Sequence, residues 1–246
     1  MKRNYIKWKS QFLEQDMEIL SFGHYGIPLL VLPTSKGKFY EWEDFGMISS
    51  LRTHIEAGRI KVFCVDSVDA QSWYNPLSDT ELRIKRHVLY EKYIIEEVIP
   101  HIEENTQTPN IDIYLTGASF GAYHAVNLYL RFPNKITAAV GMSGNYDISN
   151  FFSPYEQEMT GMFNPVKFLD MASEETLNIL RKKVSLYLFC GQGAYEEETL
   201  KSTKMFSQKM LKYNIPHLLD IWGEDVDHHW YWWQQQINYF INKLMP

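Results

Sequence analysis

Residues 114–124 read Tyr-Leu-Thr-Gly-Ala-Ser-Phe-Gly-Ala-Tyr-His, and this stretch is the strongest indication of the architecture. It places Gly117-x-Ser119-x-Gly121 between a strand-like run, residues 111–116, and a helix-like run that ends at a proline. A serine on a sharp strand-to-helix turn has a strained backbone and a projecting hydroxyl, so its neighbours must be small. The pattern predicts that Ser119 is a nucleophile. The alternative is an ordinary Gly-Ser turn.

A serine hydroxyl needs a general base near neutral pH, and a third group must orient that base. Two histidines, His228 and His229, lie in a loop between the strand-like residues 218–222 and the helix-like residues 231–244. Where a serine sits on such an elbow, the chain order is serine, acid, histidine. One of these two histidines is therefore the predicted base, and we expect the other six histidines to be structural or surface residues.

Two motifs together resemble a known family. The elbow reads Gly-Ala-Ser119-Phe-Gly, and the C-terminal loop reads His228-x-Trp230-x-x-Trp233. In both, and over nearly its whole length, the chain resembles the putative-esterase family of α/β-hydrolases, which includes esterase D, enterochelin esterases and the mycolyltransferases. The register of the second motif favours His228 over His229 as the base. The resemblance implies an α/β-hydrolase fold, with a mostly parallel central sheet and helices on both faces.

Further segments are similar to those of a subgroup of small bacterial esterase-like proteins. They are Leu32-Pro-Thr-Ser35, Phe39-Tyr-Glu-Trp-Glu-Asp44, Ser72-Trp-Tyr-Asn75 and Cys190-Gly-Gln-Gly-Ala-Tyr-Glu196. This similarity does not indicate a substrate.

The acid that orients the histidine is expected after the strand-like residues 184–190, which we interpret as the strand after the elbow helix and a neighbour of the elbow strand. Many family members place the acid about three positions after the glycine equivalent to Gly191, where this chain has Ala194. A loop longer by two residues makes Glu196 the acid, with Glu197 next. These glutamates could instead open the following helix, where the helix dipole favours carboxylates.

Two aspartates, Asp225 and Asp227, are alternative acids. They lie so close to the histidines in sequence that shaping the loop turn is the role their position favours.

Acyl transfer also needs donors for the developing oxyanion. The backbone N–H of Phe120 follows directly from the elbow, because it belongs to the residue after the nucleophile. A second donor is expected in the loop after the strand-like residues 27–32. There the N–H of Ser35 is preferred to that of Thr34, since the loop is small and contains glycine. A plain polar turn is the alternative.

Aromatic residues are candidates for the substrate pocket. Trp73 and Tyr74 follow the strand-like residues 60–65, and Trp230 lies beside the predicted base. All three could wall the pocket, although core packing is the commoner fate of such residues.

Length, charge and cysteine content limit the possible functions. The 246 residues are a normal size for one α/β domain, so a single domain is predicted over residues 1–246. The net charge is −6 and no basic stripe is present, which argues against a nucleic acid partner. Cys64 and Cys190 are expected to be free buried thiols, which fits a cytoplasmic location.

No secretion signal or run of roughly 20 apolar residues is evident, so no membrane partner is predicted. No spacing of cysteines and histidines resembles a zinc site, and we predict neither a metal nor a cofactor. The sequence does not indicate an oligomeric state.

The order of elements predicts an antiparallel N-terminal pair followed by alternating strands and helices. Residues 148–181 break the alternation and resemble a cap-like excursion, for which packing filler is the alternative. Helices are predicted over residues 41–57, 79–104, 121–132, 197–213 and 231–244.

These patterns predict a serine hydrolase that cleaves a small-molecule carboxylic ester through an acyl-enzyme. Ser119 is the nucleophile, His228 the base and Glu196 the acid. An acyltransferase would use the same residues with an alcohol acceptor. A catalytically silent ligand-binding protein is a further alternative, because fold does not fix function.

Overall fold

The N-terminal residues, Met1–Ile113, form one unit around hydrogen-bonded strands. The strands are β1 (Arg3–Lys9), β2 (Asp16–Phe22), β3 (Ile27–Leu32) and β4 (Ile60–Val65), in the order β1-β2-β4-β3. The β1–β2 and β2–β4 pairs are antiparallel, whereas β3 and β4 run parallel. Because β3 and β4 are almost wholly buried, their sequences are nearly continuous apolar runs.

The structure is a computed structural model that describes residues 1–182 and 184–245.

The α-helices of this unit are α1 (Glu41–Asp44), α2 (Met47–Ser50), α3 (Arg52–Glu56), α4 (Thr80–Tyr93) and α5 (Ile99–Thr106). The prediction of one helix over residues 41–57 is wrong, because Gly46 adopts a left-handed conformation, with φ of 77°, and interrupts it. The predicted helix over residues 79–104 is interrupted by a single π-helical turn, Ile94–Val98.

The C-terminal residues, Tyr114–Pro246, form a second unit with parallel strands. Strands β5 (Tyr114–Ala118), β6 (Ala138–Met142), β7 (Leu186–Cys190) and β8 (Leu218–Ile221) pair in that order. Its α-helices are α6 (Phe120–Arg131), α7 (Pro154–Met159), α8 (Pro165–Met171), α9 (Glu174–Leu180), α10 (Glu197–Lys212) and α11 (Trp230–Tyr239). The alternation confirms the predicted α/β class. It also brings the loops after β5 to β8 to one edge of the parallel strands.

Strand β6 corrects the predicted order of strands in this unit. The strand after the elbow helix is β6, and it lies between β5 and β7. The interpretation of residues 184–190 as the neighbour of the elbow strand is therefore wrong. The short sequence Ala-Ala-Val-Gly-Met of β6 has one β-branched residue, Val140, and no aromatic residue, so it shows little of the composition that marks strands.

The predicted excursion at residues 148–181 consists of α7, α8 and α9 with short 3₁₀ turns between them. Helix α8 packs on α6 and α10. The excursion belongs to the second unit and has buried apolar side chains, namely Phe163, Phe168, Leu169, Leu177 and Leu180. Its role as a cap stays a prediction, as does the single domain over residues 1–246.

Candidate active site

Ser119 occupies the turn between β5 and α6, with φ of 54° and ψ of −121°. A positive φ is costly for a residue with a Cβ, and it persists only where the surroundings enforce it. The Ser119 N–H donates to the carbonyl of Met142 at 2.9 Å, which ties the turn to β6. A Cβ on Gly117 would lie 2.3 Å from the carbonyl carbon of Gly121, so the turn requires glycine. Ser119 is only half-buried, although β5 and the start of α6 are buried. These are the features of a nucleophile elbow.

Phe120 is the first residue of α6, so its backbone N–H lies at the positive end of that helix. Its ring is 3 % exposed and meets the ring of His124 edge-on, with 5.0 Å between the centroids. The Phe120 N–H stays the predicted first donor to an oxyanion.

Glu196 is completely buried, and its carboxylate accepts hydrogen bonds at both oxygens. The hydroxyl of Ser143 donates to Oε1, and that of Thr199 donates to Oε2 at 2.5 Å. The Cys190 thiol also points at Oε2, at 3.4 Å. Burial by itself raises the pKa of Glu196, but the nearby imidazole of His228 and the two hydroxyls outweigh burial, and the pKa lies below its ordinary value. The carboxylate is therefore ionised at neutral pH.

His228 lies directly beside this carboxylate, with its Nδ1 3.4 Å from Oε2 of Glu196. The separation is longer than a formed hydrogen bond, and catalytic contacts are often looser in unliganded sites. Among the described residues Nδ1 has no hydrogen-bond partner, so the carboxylate is the group placed to receive its proton. The imidazole meets the Trp233 ring edge-to-face, at 4.9 Å between centroids. This contact fixes the orientation of the imidazole ring.

The loops that carry the glutamate and the histidine are fastened to each other by backbone contacts. The Gly193 N–H donates to the carbonyl of Val226 at 2.9 Å, and the Ala194 N–H donates to Oδ1 of Asp227 at 2.7 Å. A Cβ on Gly191 would lie 2.0 Å from the carbonyl oxygen of Val226. Glycine at this position therefore permits the close approach that brings the acid and the base together.

The alternative acids and the alternative base occupy other positions. Asp227 accepts the Ala194 N–H of the glutamate loop, so its carboxylate joins the two loops. Asp225 and Glu197 are exposed, and Glu197 opens α10. His229 caps α11, because its Nδ1 accepts the Tyr231 N–H at 3.2 Å.

The hydrogen bonds by which Ser143 and Trp233 support the Glu196 carboxylate were not predicted from the sequence. Trp233 Nε1–H donates to Ser143 Oγ at 3.1 Å, and the Ser143 hydroxyl donates onward to Glu196. Ser143 has a φ of 50°, and its N–H donates to the carbonyl of Phe189 at 2.7 Å. Its place directly after β6, at the edge where the parallel strands end, is the signal that could have found it, had β6 been predicted. Trp230 packs on Trp233 and is half-buried, and its pocket role stays a prediction.

The first unit holds the predicted second oxyanion donor in the exit loop of β3. The Thr34 N–H donates to Oε1 of Glu41 at 2.5 Å, so it is already engaged, and the Ser35 N–H stays the predicted donor. The hydroxyls of Ser35 and Tyr74 lie 2.8 Å apart. Trp73 is 1 % exposed, which is the burial of a core side chain, whereas Tyr74 is half-buried. The pocket role of both stays a prediction.

Glu41 is the buried group that holds this exit loop. Besides the Thr34 N–H, its carboxylate accepts the Thr34 hydroxyl at 3.0 Å. The Lys36 N–H in turn donates to Oδ2 of Asp69 at 3.1 Å. Burial raises the pKa of Glu41 to about 7, against the opposing effect of the Thr34 hydrogen bonds. The loop is therefore held by a carboxyl group that titrates near neutral pH.

Among the described residues no group of three or more histidine, cysteine or acidic side chains could hold a metal ion. Within the same residues no helix is long and apolar enough to cross a membrane. Cys64 and Cys190 are buried free thiols.

One family model and several solved structures match this chain. The model of a family described as "Putative esterase" matches residues 39–243. No curated protein matches the chain.

Solved structures with a similar fold are distant in sequence. An S-formylglutathione hydrolase from Staphylococcus aureus has a TM-score of 0.71 and 16% identity, over 100% of this chain and 97% of that one. A fluorophosphonate-binding serine hydrolase from the same organism has a TM-score of 0.72 and 15% identity, over 100% of this chain and 98% of that one. A ferulic acid esterase from Anaeromyces mucronatus has a TM-score of 0.72 and 14% identity, over 99% and 90%. These similarities confirm the α/β-hydrolase fold.

Proposed function

The chain belongs to the putative esterase family, and we propose that it is a serine hydrolase that cleaves carboxylic esters through an acyl-enzyme. The observation that carries the proposal is the ionised, fully buried Glu196 carboxylate 3.4 Å from His228 Nδ1. This pair supports the proposal, because a buried carboxylate orients the base in serine hydrolases, and among the described residues His228 Nδ1 has no other acceptor. A small-molecule ester substrate and a cytoplasmic location belong to the same proposal.

In the proposed reaction the Ser119 hydroxyl attacks the ester carbonyl while His228 takes its proton. The oxyanion that forms is stabilised by the Phe120 N–H, with Ser35 as the second donor predicted from the sequence. The imidazolium then protonates the departing alcohol, and an acyl group remains on the serine. Water, deprotonated by the same histidine, hydrolyses the acyl-enzyme and restores the free serine.

In this scheme Glu196 sets the tautomer of the His228 imidazole. An ionised carboxylate next to Nδ1 favours the tautomer with the proton on Nδ1, and Nε2 is then free to accept the proton of the serine. The same negative charge stabilises the imidazolium that forms during attack. Its hydroxyl partners, Ser143 and Thr199, keep the carboxylate ionised and immobile.

The test is hydrolysis of p-nitrophenyl esters of graded chain length by the wild type and by Ser119→Ala. S-formylglutathione and methyl ferulate are added as test compounds, because an S-formylglutathione hydrolase and a ferulic acid esterase have similar folds. We expect the wild type to hydrolyse the shorter esters and the variant to lose several orders of magnitude in kcat/KM. Activity of Ser119→Ala within about tenfold of wild type, only ~1.4 kcal/mol of transition-state stabilisation, would contradict the proposal.

An acyltransferase remains the second candidate, because it would use the same residues. Adding a primary alcohol to the assay separates the two. A hydrolase releases mainly free acid, whereas a transferase forms mainly the new ester.

A further inference from the structure

A cleft of about 870 Å³ lies in the first unit, at the opposite ends of β3 and β4 from the loop that carries Ser35. It is formed by the chain entering these two strands and by the end of α5. Its volume is in the range of small-molecule sites. Its lining is polar and basic, and includes Lys2, His24, Arg59, Lys61, Asn105 and Thr106.

Lys61 is the unusual member of this lining. It is 7 % exposed, and burial together with the nearby charge of Lys2 lowers the pKa of its ammonium group. Its Nζ lies over the Phe63 ring, 5.7 Å from the ring centroid, which is a cation–π contact but supplies no hydrogen-bond acceptor. Buried charges in proteins are normally paired with an opposite charge. Among the described residues, however, no carboxylate lies within ion-pair distance of Lys61 or of Lys2.

The single polar acceptor that Lys61 has in the described residues is weak. Its Nζ lies 3.4 Å from the backbone carbonyl of Asn105, in the last turn of α5. That distance is at the long limit for a hydrogen bond, and an ammonium group has three donors. The helix end supplies partial negative charge only. At least two donors of a buried cation therefore remain to be satisfied from the cleft.

Most of the charged side chains that line the cleft are cationic. Arg59 contributes a third cation, and Asp112 is the acidic side chain in the lining. A cluster of cations is unexpected in a chain with a net charge of −6, because the overall field of such a protein repels anions. A local reversal of charge inside a concave site favours a multiply charged anion.

We propose that this cleft binds a phosphorylated small molecule, with its phosphate held between Lys2 and Lys61. Phosphate provides enough negative charge for two lysines and enough oxygens for their free donors. The cleft is larger than a phosphate group, so the remainder of the ligand would lie against the side chains of His24 and Tyr25 and the backbone of residues 105–108. This site is independent of the proposed esterase function.

The test is titration calorimetry of the wild-type protein with inorganic pyrophosphate at constant ionic strength, with melting curves measured in parallel. We expect saturable binding of one pyrophosphate per chain and a rise of the Tm with pyrophosphate. Lys61→Met should weaken binding at least tenfold, because it removes the charge and keeps the aliphatic stem. It should also raise the Tm without ligand, since an unpaired buried charge disappears.

Matched controls separate the cleft from general attraction of anions. Lys85→Met removes an exposed lysine of α4 in the same unit, and Ser119→Ala alters the proposed active site. Both should bind pyrophosphate within twofold of wild type. If Lys61→Met does not fold, Lys2→Met gives the same test.

Three results would overturn the proposal. They are the absence of saturable binding by wild type, equal losses in Lys61→Met and Lys85→Met, and binding of the tricarboxylate tricarballylate as tight as that of pyrophosphate. The last result would show that the site does not prefer phosphate.

Discussion

The carboxylate of Glu196 lies 3.4 Å from Nδ1 of His228, although the two residues come from loops that follow different strands. The contact depends on the glycines that allow those loops to touch, and on the hydroxyls that hold the buried carboxylate ionised. If this pair orients the imidazole, each supporting contact has a measurable consequence.

Replacing the carboxylate by an amide tests the orienting role. Glu196→Gln keeps the size of the side chain but can donate to Nδ1, which favours the wrong tautomer of His228. We expect kcat for p-nitrophenyl acetate to fall on the order of 10³-fold or more, with little change in KM. Glu197→Gln is the matched control, because that side chain is exposed one position further along, and it should stay within about twofold of wild type. Equal activities of the two variants would contradict the assignment.

Removing the hydroxyl of Ser143 tests the contact behind the carboxylate. Ser143→Ala deletes the donor to Glu196 Oε1 and leaves the Trp233 N–H without its acceptor. We expect a loss of about 1 to 3 kcal/mol in the free energy of unfolding. The pKa of Glu196 should rise, because a donor to its charged form is lost. The acid-induced fall of kcat should therefore begin at a higher pH than in the wild type.

The control for this variant is another buried serine in the same unit. Ser207 is 5 % exposed and its hydroxyl pairs with His217 Nε2 at 2.7 Å. Ser207→Ala should lose comparable stability but keep the wild-type pH profile. An unchanged pH profile in Ser143→Ala as well would mean that Ser143 is only structural.

Glu41 predicts a pH dependence of stability. Its pKa is raised by burial to about 7, above the ordinary value of 4.5. The stability contributed by this group is therefore fully present below pH 4.5 and is lost as the pH rises to about 7. That loss is about 3 kcal/mol for a shift of this size.

The measurement is chemical unfolding of the wild type and Glu41→Gln over a series of pH values. Relative to Glu41→Gln, which cannot ionise, the wild type should lose stability between pH 4.5 and 7. Glu41→Gln also loses one hydrogen-bond acceptor for Thr34, which changes its free energy of unfolding by the same amount at every pH. The comparison therefore uses the slopes of the two curves of unfolding free energy against pH. Parallel curves would contradict the shifted pKa.

The elbow predicts a strict requirement for glycine. Gly117→Ala would put a Cβ 2.3 Å from the Gly121 backbone, which cannot move without disturbing the Ser119 turn. We expect a loss of more than ~3 kcal/mol or failure to fold. At Gly161 the nearest atom to a new Cβ is the sulfur of the flexible Met171 side chain, at 2.8 Å, so Gly161→Ala should cost much less. Similar melting temperatures for both variants would refute the steric argument.

Local patterns were sufficient to predict the elements around the elbow. Apolar alternation, helix-forming residues and a stop at Pro133 predict β5 and α6, and these elements also fix the conformation of Ser119. The histidine loop was predictable for the same reason, since it lies between a strand and a helix with clear patterns.

Elements that depend on tertiary packing were not predictable from local patterns. β6 is too short and too rich in small residues to show a strand pattern, and its carboxyl end carries Ser143. The break of the first predicted helix at Gly46 reflects a left-handed conformation that a single glycine permits but does not require. Which of several neighbouring acids is buried depends on loop contacts across β7 and β8, such as the approach of Gly191 to Val226.

Labelling of the intact protein with a fluorophosphonate, read by mass spectrometry, tests the central proposal most directly. The reagent reacts with a serine only when a neighbouring base activates it. The account predicts a single adduct on the wild type, located on the peptide that contains Ser119, none on Ser119→Ala, and strongly slowed labelling of His228→Gln. An unlabelled wild type with an intact fold, or equal labelling of Ser119→Ala, would contradict it.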